Sequence, residues 1–206
     1  MKNLNSLSFA LAMCVITATL SAQPNPGTTN KSSDTKKSTS AHVKEEPKKE
    51  SFIGRYYEMK DSYPTLVNLC GDYAASDNDK VKFVERYNKI KASYPTLTDV
   101  HGDFAGASNS IEDFTKKYYE IKEVYPNMSK YYGNYAGSKH TLPKFMERYN
   151  EIKASAPDLA DYYGEYAASE NTLPEFSARY YGIKASNPAM KNSFGDYAGS
   201  TKKLSK

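Results

Sequence analysis

Apolar and polar positions along this chain recur with a fixed period of 31 residues. Phe52, Phe83, Phe114, Phe145 and Phe176 open five copies, with nothing inserted or deleted between them. Counting each Phe as position 0, Tyr holds position 4, Lys position 8, Pro position 12, Gly position 19 and Ala position 22 in all five copies. Position 7 is Met59, Ile90, Ile121, Ile152 or Ile183. Positions 0, 4 and 7 share a helical face, so the first half of each copy predicts an amphipathic helix.

Its start and stop are written in the sequence. Asp79, Ser110, Thr141 and Thr172 stand where an N-cap belongs, and Ser110 and Thr172 are followed three residues on by Asp113 and Glu175. Pro143 and Pro174 fall in the first turn, where a missing backbone donor costs nothing. The Pro at position 12 closes this helix and opens a second, with Ser62, Ser93, Ser155 and Ser186 as candidate caps. The second helix carries apolar residues at positions 14, 17, 18, 21 and 22, as in Leu159, Tyr162, Tyr163, Tyr166 and Ala167. Gly inside a helix costs about 1 kcal/mol relative to Ala. Its presence at position 19 in every copy, with Ala at 22 and Ala or Gly at 23, predicts a small-residue strip at a helix crossing where another backbone comes close.

A hairpin of this size cannot bury its apolar face alone. Stacked neighbours can, so the expected fold is all-α, an α-solenoid of five helical hairpins covering 52–82, 83–113, 114–144, 145–175 and 176–206. Helices packed about 8–10 Å apart would give a curved rod on the order of 50 Å long. The use of small residues at crossings and Pro at turns resembles tetratricopeptide arrays, but those repeat about every 34 residues with a different signature.

Ahead of the repeats, Met1-Lys2-Asn3 precedes an apolar run from Leu7 to Leu20 and small residues at Ser21-Ala22. Residues 1–22 read as a secretory signal peptide, which places the protein outside the cell. The run is too short and too rich in Ser and Thr for a stable membrane insertion. A lipoprotein reading through Leu11-Ala12-Met13-Cys14 is set aside because Met13 is too large for the residue before a lipidated Cys. Residues 23–51 are rich in Ser, Thr, Lys and Pro without an apolar period, and read as a disordered linker. Cleavage near Ala22 removes Cys14 and leaves Cys70 alone, at a position that is apolar in other copies, so it reads as buried and inert.

Charge narrows the partners. The chain has 28 basic and 24 acidic residues. Seven lysines and four acids precede the repeats, leaving 21 basic and 20 acidic residues within them. A nearly neutral repeat array lacks the basic stripe of a nucleic-acid binder. The last copy gives the array a basic end, through Arg179, Lys184, Lys191, Lys202, Lys203 and Lys206 against Asp196.

The clearest polar pattern is a ladder of Lys60, Lys91, Lys122, Lys153 and Lys184 at position 8, beside Asp72, Asp103, Asn134, Glu165 and Asp196 at position 20. The expected arrangement pairs each Lys with the acid of a facing helix. Most of the 19 tyrosines fall on core positions. Position 5 differs, with Tyr57, Tyr119 and Tyr181 alternating with Asn88 and Asn150 beside the apolar stripe. These three are the candidate partner-binding residues, since exposed aromatics on a rigid frame make good anchors.

No metalloprotease helix, paired-cysteine site, nucleophile elbow or phosphate loop is present in the sequence, and His42, His101 and His140 form no motif. No catalytic, metal or cofactor site is expected. Asn30 and Asn127 are candidate glycosylation sites through Asn30-Lys31-Ser32 and Asn127-Met128-Ser129. The functional expectation is a secreted, monomeric, non-enzymatic scaffold that binds an extracellular protein on a concave surface, including as an effector acting on another organism. The alternatives are a Tyr/Lys cross-linked matrix protein and a carrier of a small apolar ligand.

Overall fold

The computed structural model describes residues 51–205. The signal segment, residues 23–50 of the linker, Asn30 and Lys206 lie outside the described residues. Each repeat is a long helix, a 3₁₀ turn and a short helix. The long helices are α1 (Phe52–Ser62), α3 (Lys80–Ser93), α5 (Ile111–Val124), α7 (Leu142–Ser155) and α9 (Leu173–Ser186). The short ones are α2 (Cys70–Ala75), α4 (His101–Gly106), α6 (Tyr132–Gly137), α8 (Tyr163–Ala168) and α10 (Phe194–Gly199). No strand occurs among the described residues.

Long helices begin where the sequence places their caps. The Asp79 carboxylate accepts from the Lys82 N–H at 2.8 Å, and Ser110 Oγ accepts from the Asp113 N–H at 3.0 Å. The Glu175 carboxylate reaches back to the Thr172 N–H at 2.8 Å. The second half of each repeat differs from the expected single helix. Ser62, Ser93, Ser155 and Ser186 are the last residues of the long helices rather than caps of the next. The residue before each Pro is extended, as at Tyr63 (φ −136°, ψ 70°), because the Pro ring excludes the helical conformation there. A 3₁₀ turn follows, such as Pro64–Leu69 or Pro126–Tyr131, broken at position 14 (Leu66 φ −110°, ψ 27°). Only the last six residues form the short α-helix.

Phe at position 0, Met or Ile at position 7 and Ala at position 22 are all fully buried. The aromatic at position 21 packs edge-on against the next Phe, with ring centroids 5.5 Å apart for Tyr73–Phe83 and 5.3 Å for Tyr135–Phe145.

The hairpins form a solenoid, but not a rod. Each short helix packs on the short helices before and after it, and α10 packs on α2. The fifth repeat therefore meets the first, and the array is a closed ring with the short helices inside and the long helices outside. Phe52 joins the same apolar cluster as Phe194, Tyr197 and Ala198, and its ring lies 5.2 Å from Tyr197 in the Phe–aromatic geometry of the internal seams.

Closure explains an irregularity. Helices α3, α5, α7 and α9 have 14 residues, whereas α1 has 11 and starts on its Phe. The missing turn is supplied by the other end of the chain. The Phe52 N–H donates to the Lys203 carbonyl at 2.8 Å, as the Phe83 N–H does to the Asp79 carbonyl at 2.9 Å. Lys203 holds the same repeat position as Asp79, Ser110, Thr141 and Thr172. Leu204 follows in the register of Ile111, Leu142 and Leu173 and packs on the core, where the chain's own residue in that register is Lys49.

Candidate functional site

Two surfaces carry the residues singled out by the sequence, and the ring sets them apart. Position 8 lies on the outer face of the long helices, where Lys60, Lys91, Lys122, Lys153 and Lys184 are all exposed. Position 20 lies on the short helices and lines the central lumen. The expected Lys–acid pairing does not form, because the ring wall stands between the two sets. Lys60, Lys91, Lys122 and Lys184 lean on tyrosines instead. Lys60 Nζ is 5.7 Å from the Tyr57 ring centre and Lys122 Nζ is 5.9 Å from those of Tyr118 and Tyr119.

Tyr57, Tyr119 and Tyr181 are 46%, 49% and 47% exposed, the three tyrosines most open to solvent among large apolar side chains of the described residues. Each is braced edge-on by the position 4 tyrosine beside it, with centroids 5.4 Å apart for Tyr56–Tyr57, 5.2 Å for Tyr118–Tyr119 and 5.1 Å for Tyr180–Tyr181. The Tyr181 hydroxyl also donates to the Asp158 carboxylate of the preceding repeat. Tyr57 and Tyr181 belong to repeats that the ring closure makes neighbours, and Tyr119 belongs to the third repeat. Asn127 is exposed in the 3₁₀ turn after α5.

The lumen has a volume of about 220 Å³ and is bordered by positions 19, 20, 23 and 24. Its polar side chains are the carboxylates of Asp72, Asp103, Glu165 and Asp196, the amide of Asn134 and the hydroxyls of Ser76, Ser138, Ser169 and Ser200. The position 20 side chains border the lumen on one side, so each is half-buried by area, and protein encloses them in every other direction. Burial, then neighbouring carboxylates, raise all four acids, Asp103 to about 8 and Glu165 to about 7. For Asp72 and Asp196 the direction is strongly upward from the same causes. Among the described residues no cluster of three or more potential ligands holds metal geometry.

Glycine 19 serves this lumen. A Cβ on Gly133 would lie 2.1 Å from Asp103 Oδ2, and one on Gly102 would lie 2.3 Å from Asp72 Oδ2. At position 19 the approaching group is a side chain of the preceding repeat, and the expected close backbone lies at the position 23 end of the strip. There a Cβ on Gly106 would lie 3.3 Å from the Asp72 carbonyl oxygen.

Two further ladders escaped the sequence reading. Position 3 is basic in every copy (Arg55, Arg86, Lys117, Arg148, Arg179) and lies over the position 21 ring, at 4.2 Å for Arg148 on Tyr166. Arg148 Nη2 donates to the Tyr166 and Asn171 carbonyls at 3.0 and 2.6 Å, binding the short helix to the loop that follows it. Position 26 reaches across each seam. Asn78 Nδ2 donates to the Ala105 carbonyl at 2.8 Å, and Asn171 Nδ2 donates to the Ala198 carbonyl at 2.7 Å. At the closing seam the same position is Lys202, whose Nζ pairs with Asp77 at 2.7 Å. A count of basic residues at position 3 and amides at position 26 would have revealed both.

Cys70 is fully buried, and burial pushes its thiol up to about 11. His101 is buried with Nε2 3.1 Å from the Tyr94 carbonyl, and His140 Nε2 is 2.9 Å from the Ser169 carbonyl. His140 Nε2 also lies 4.0 Å from the Glu170 carboxylate. No helix among the described residues is long and apolar enough to cross a membrane. No protein-family model, curated protein or solved structure matches this chain.

Proposed function

We propose that this chain is a secreted, non-enzymatic binding ring that engages an extracellular protein through its outer face. The observation that carries this reading is the set of exposed, braced tyrosines Tyr57, Tyr119 and Tyr181, two of them beside a Lys of the outer ladder. Such aromatics bury large area with few rotors to immobilise, so they suit anchoring to a protein surface. The narrow lumen offers no concave groove for a protein, which moves the binding surface to the outside. The repeated core and the closed seam keep the three anchors in fixed relation.

The test is the size of the native protein. The chain purified from its source is run on size-exclusion chromatography with mass detection, beside a variant carrying Tyr57→Ser, Tyr119→Ser and Tyr181→Ser. The wild type is expected in a defined complex and the variant as a folded monomer. A variant that keeps the same complex as the wild type, or material that resists denaturant and yields dityrosine on hydrolysis, overturns the reading.

A further inference from the structure

Four of the five seams in this ring are crossed by the polypeptide itself. The seam between repeats 5 and 1 is held without a covalent link. Its clasp comprises the Phe52 N–H to the Lys203 carbonyl at 2.8 Å, the Ile53 N–H to the Leu204 carbonyl at 3.3 Å, the Lys202–Asp77 pair at 2.7 Å and the Phe52–Tyr197 ring contact. On its lumen side Asp196 presses on Gly71, where a Cβ would lie 2.0 Å from Asp196 Oδ2.

The lumen opposes this clasp. The inner helices present Asp72 from α2, Asp103 from α4, the neutral Asn134 from α6, Glu165 from α8 and Asp196 from α10. Among the described residues no Lys, Arg or His lines the lumen. The charged groups acting on it from the adjoining turns are Lys130 and Asp161, which act on Glu165 with opposite sign. Ionising these acids together places like charges around a space of about 220 Å³ with little counter-charge. The repulsion is greatest where acid faces acid, between repeats 1 and 2, 4 and 5, and 5 and 1, and of these only the last is uncrossed by the chain.

We propose that the ring opens reversibly at the seam between repeats 5 and 1, and that the charge on the lumen carboxylates sets when it opens. The protonated lumen keeps Asp196 seated on Gly71 and the tail docked on α1. The ionised lumen drives the two repeats apart, frees residues 202–205 and leaves the four internal seams intact.

Native-state hydrogen exchange on the full chain reads this directly. The Phe52 amide is protected by a bond across the open-ended seam, whereas Phe83, Phe114, Phe145 and Phe176 make the same bond within the continuous chain. Between about pH 5 and about pH 8.5, after correction for intrinsic exchange, protection of Phe52 should fall about tenfold or more relative to the other four. The double variant Asp72→Asn, Asp196→Asn should keep its protection, and Asn134 shows that an amide fits this position. The converse variant Asn134→Asp should lower the pH at which Phe52 is released. Equal behaviour of all five phenylalanine amides, or a loss at Phe52 that the double variant does not suppress, overturns the proposal.

Discussion

Asp196 lies on Gly71, 125 residues earlier in the chain, in the relation that Asp103 holds to Gly133 in the adjacent repeat. The end of the array thus meets its beginning with the same side chains that join the interior, and this single contact identifies the fold as a ring. It also assigns the repeated glycine its role. Position 19 is bare because the position 20 side chain of the preceding repeat occupies the space.

Filling that space should be costly. Gly133→Leu places atoms where Asp103 Oδ2 already sits and should destabilise by about 3 kcal/mol or more, the upper range for overpacking. Lys122→Ala, on the exposed outer face, should change stability by less than about 0.5 kcal/mol. Thermal or denaturant unfolding of the two variants checks this, and equal shifts would refute the assigned roles.

Stability should decline as pH rises through neutrality. The folded pKa values of Asp103 and Glu165 are raised to about 8 and about 7, above the ordinary carboxylate range. Between the unfolded and folded values the native chain binds more protons than the unfolded chain, so it loses stability as pH increases across that window. Glu58 and Asp77 act in the opposite sense, since their carboxyls are held low, by the Tyr73 and Lys80 contacts and by Lys202 respectively, and their contribution is lost in stronger acid. Denaturant midpoints from about pH 4 to about pH 9 should therefore peak in mild acid, and Asp103→Asn should flatten the alkaline limb.

Removing the tail should unfasten the ring. Deleting residues 202–206 removes the Lys203 and Leu204 carbonyl partners of α1 and the Lys202–Asp77 pair. Protease cleavage near α1 should become much faster than in the full chain, while the helical signal of the remaining repeats persists. A circular permutant that joins the fifth repeat to the first through a short linker and opens instead between repeats 2 and 3 should fold to the same ring.

Arg148→Met should cost about 1–3 kcal/mol, because the Asn171 carbonyl loses its Arg148 donor and the Tyr166 carbonyl keeps only those of Ser169. Arg148→Lys should recover part of it, since Lys117 in the third repeat holds the equivalent carbonyl, that of His140, at 2.8 Å and reaches the Ser138 carbonyl at 2.7 Å in place of the position 21 carbonyl.

Cys70 should resist thiol reagents in the native protein and react at once in denaturant. Its side chain is fully buried and its thiol is pushed up to about 11, so little nucleophilic thiolate exists near neutral pH. Rapid native labelling would contradict its placement in the core.

The sequence by itself determined the repeat boundaries, the long helices with their caps at Asp79, Ser110 and Thr172, and the core at positions 0, 7, 21 and 22, because these follow from local periodicity and turn chemistry. It also marked Tyr57, Tyr119 and Tyr181 as standing apart from the core tyrosines. It misplaced the partners of Lys60 and its equivalents and the length of the second helix. A 3.6-residue pattern does not register the break at position 14, and the pairing of two polar ladders depends on which side of a wall each one faces. Closure was decided by tertiary structure alone. The angle between successive hairpins is set by how Asp103 seats on Gly133 and how the aromatic of one repeat meets the Phe of the next, and small changes in that angle separate a rod from a ring. Once five such steps complete the turn, Leu204 falls in the register that Ile111, Leu142 and Leu173 hold in the other repeats, and the two ends become one more seam.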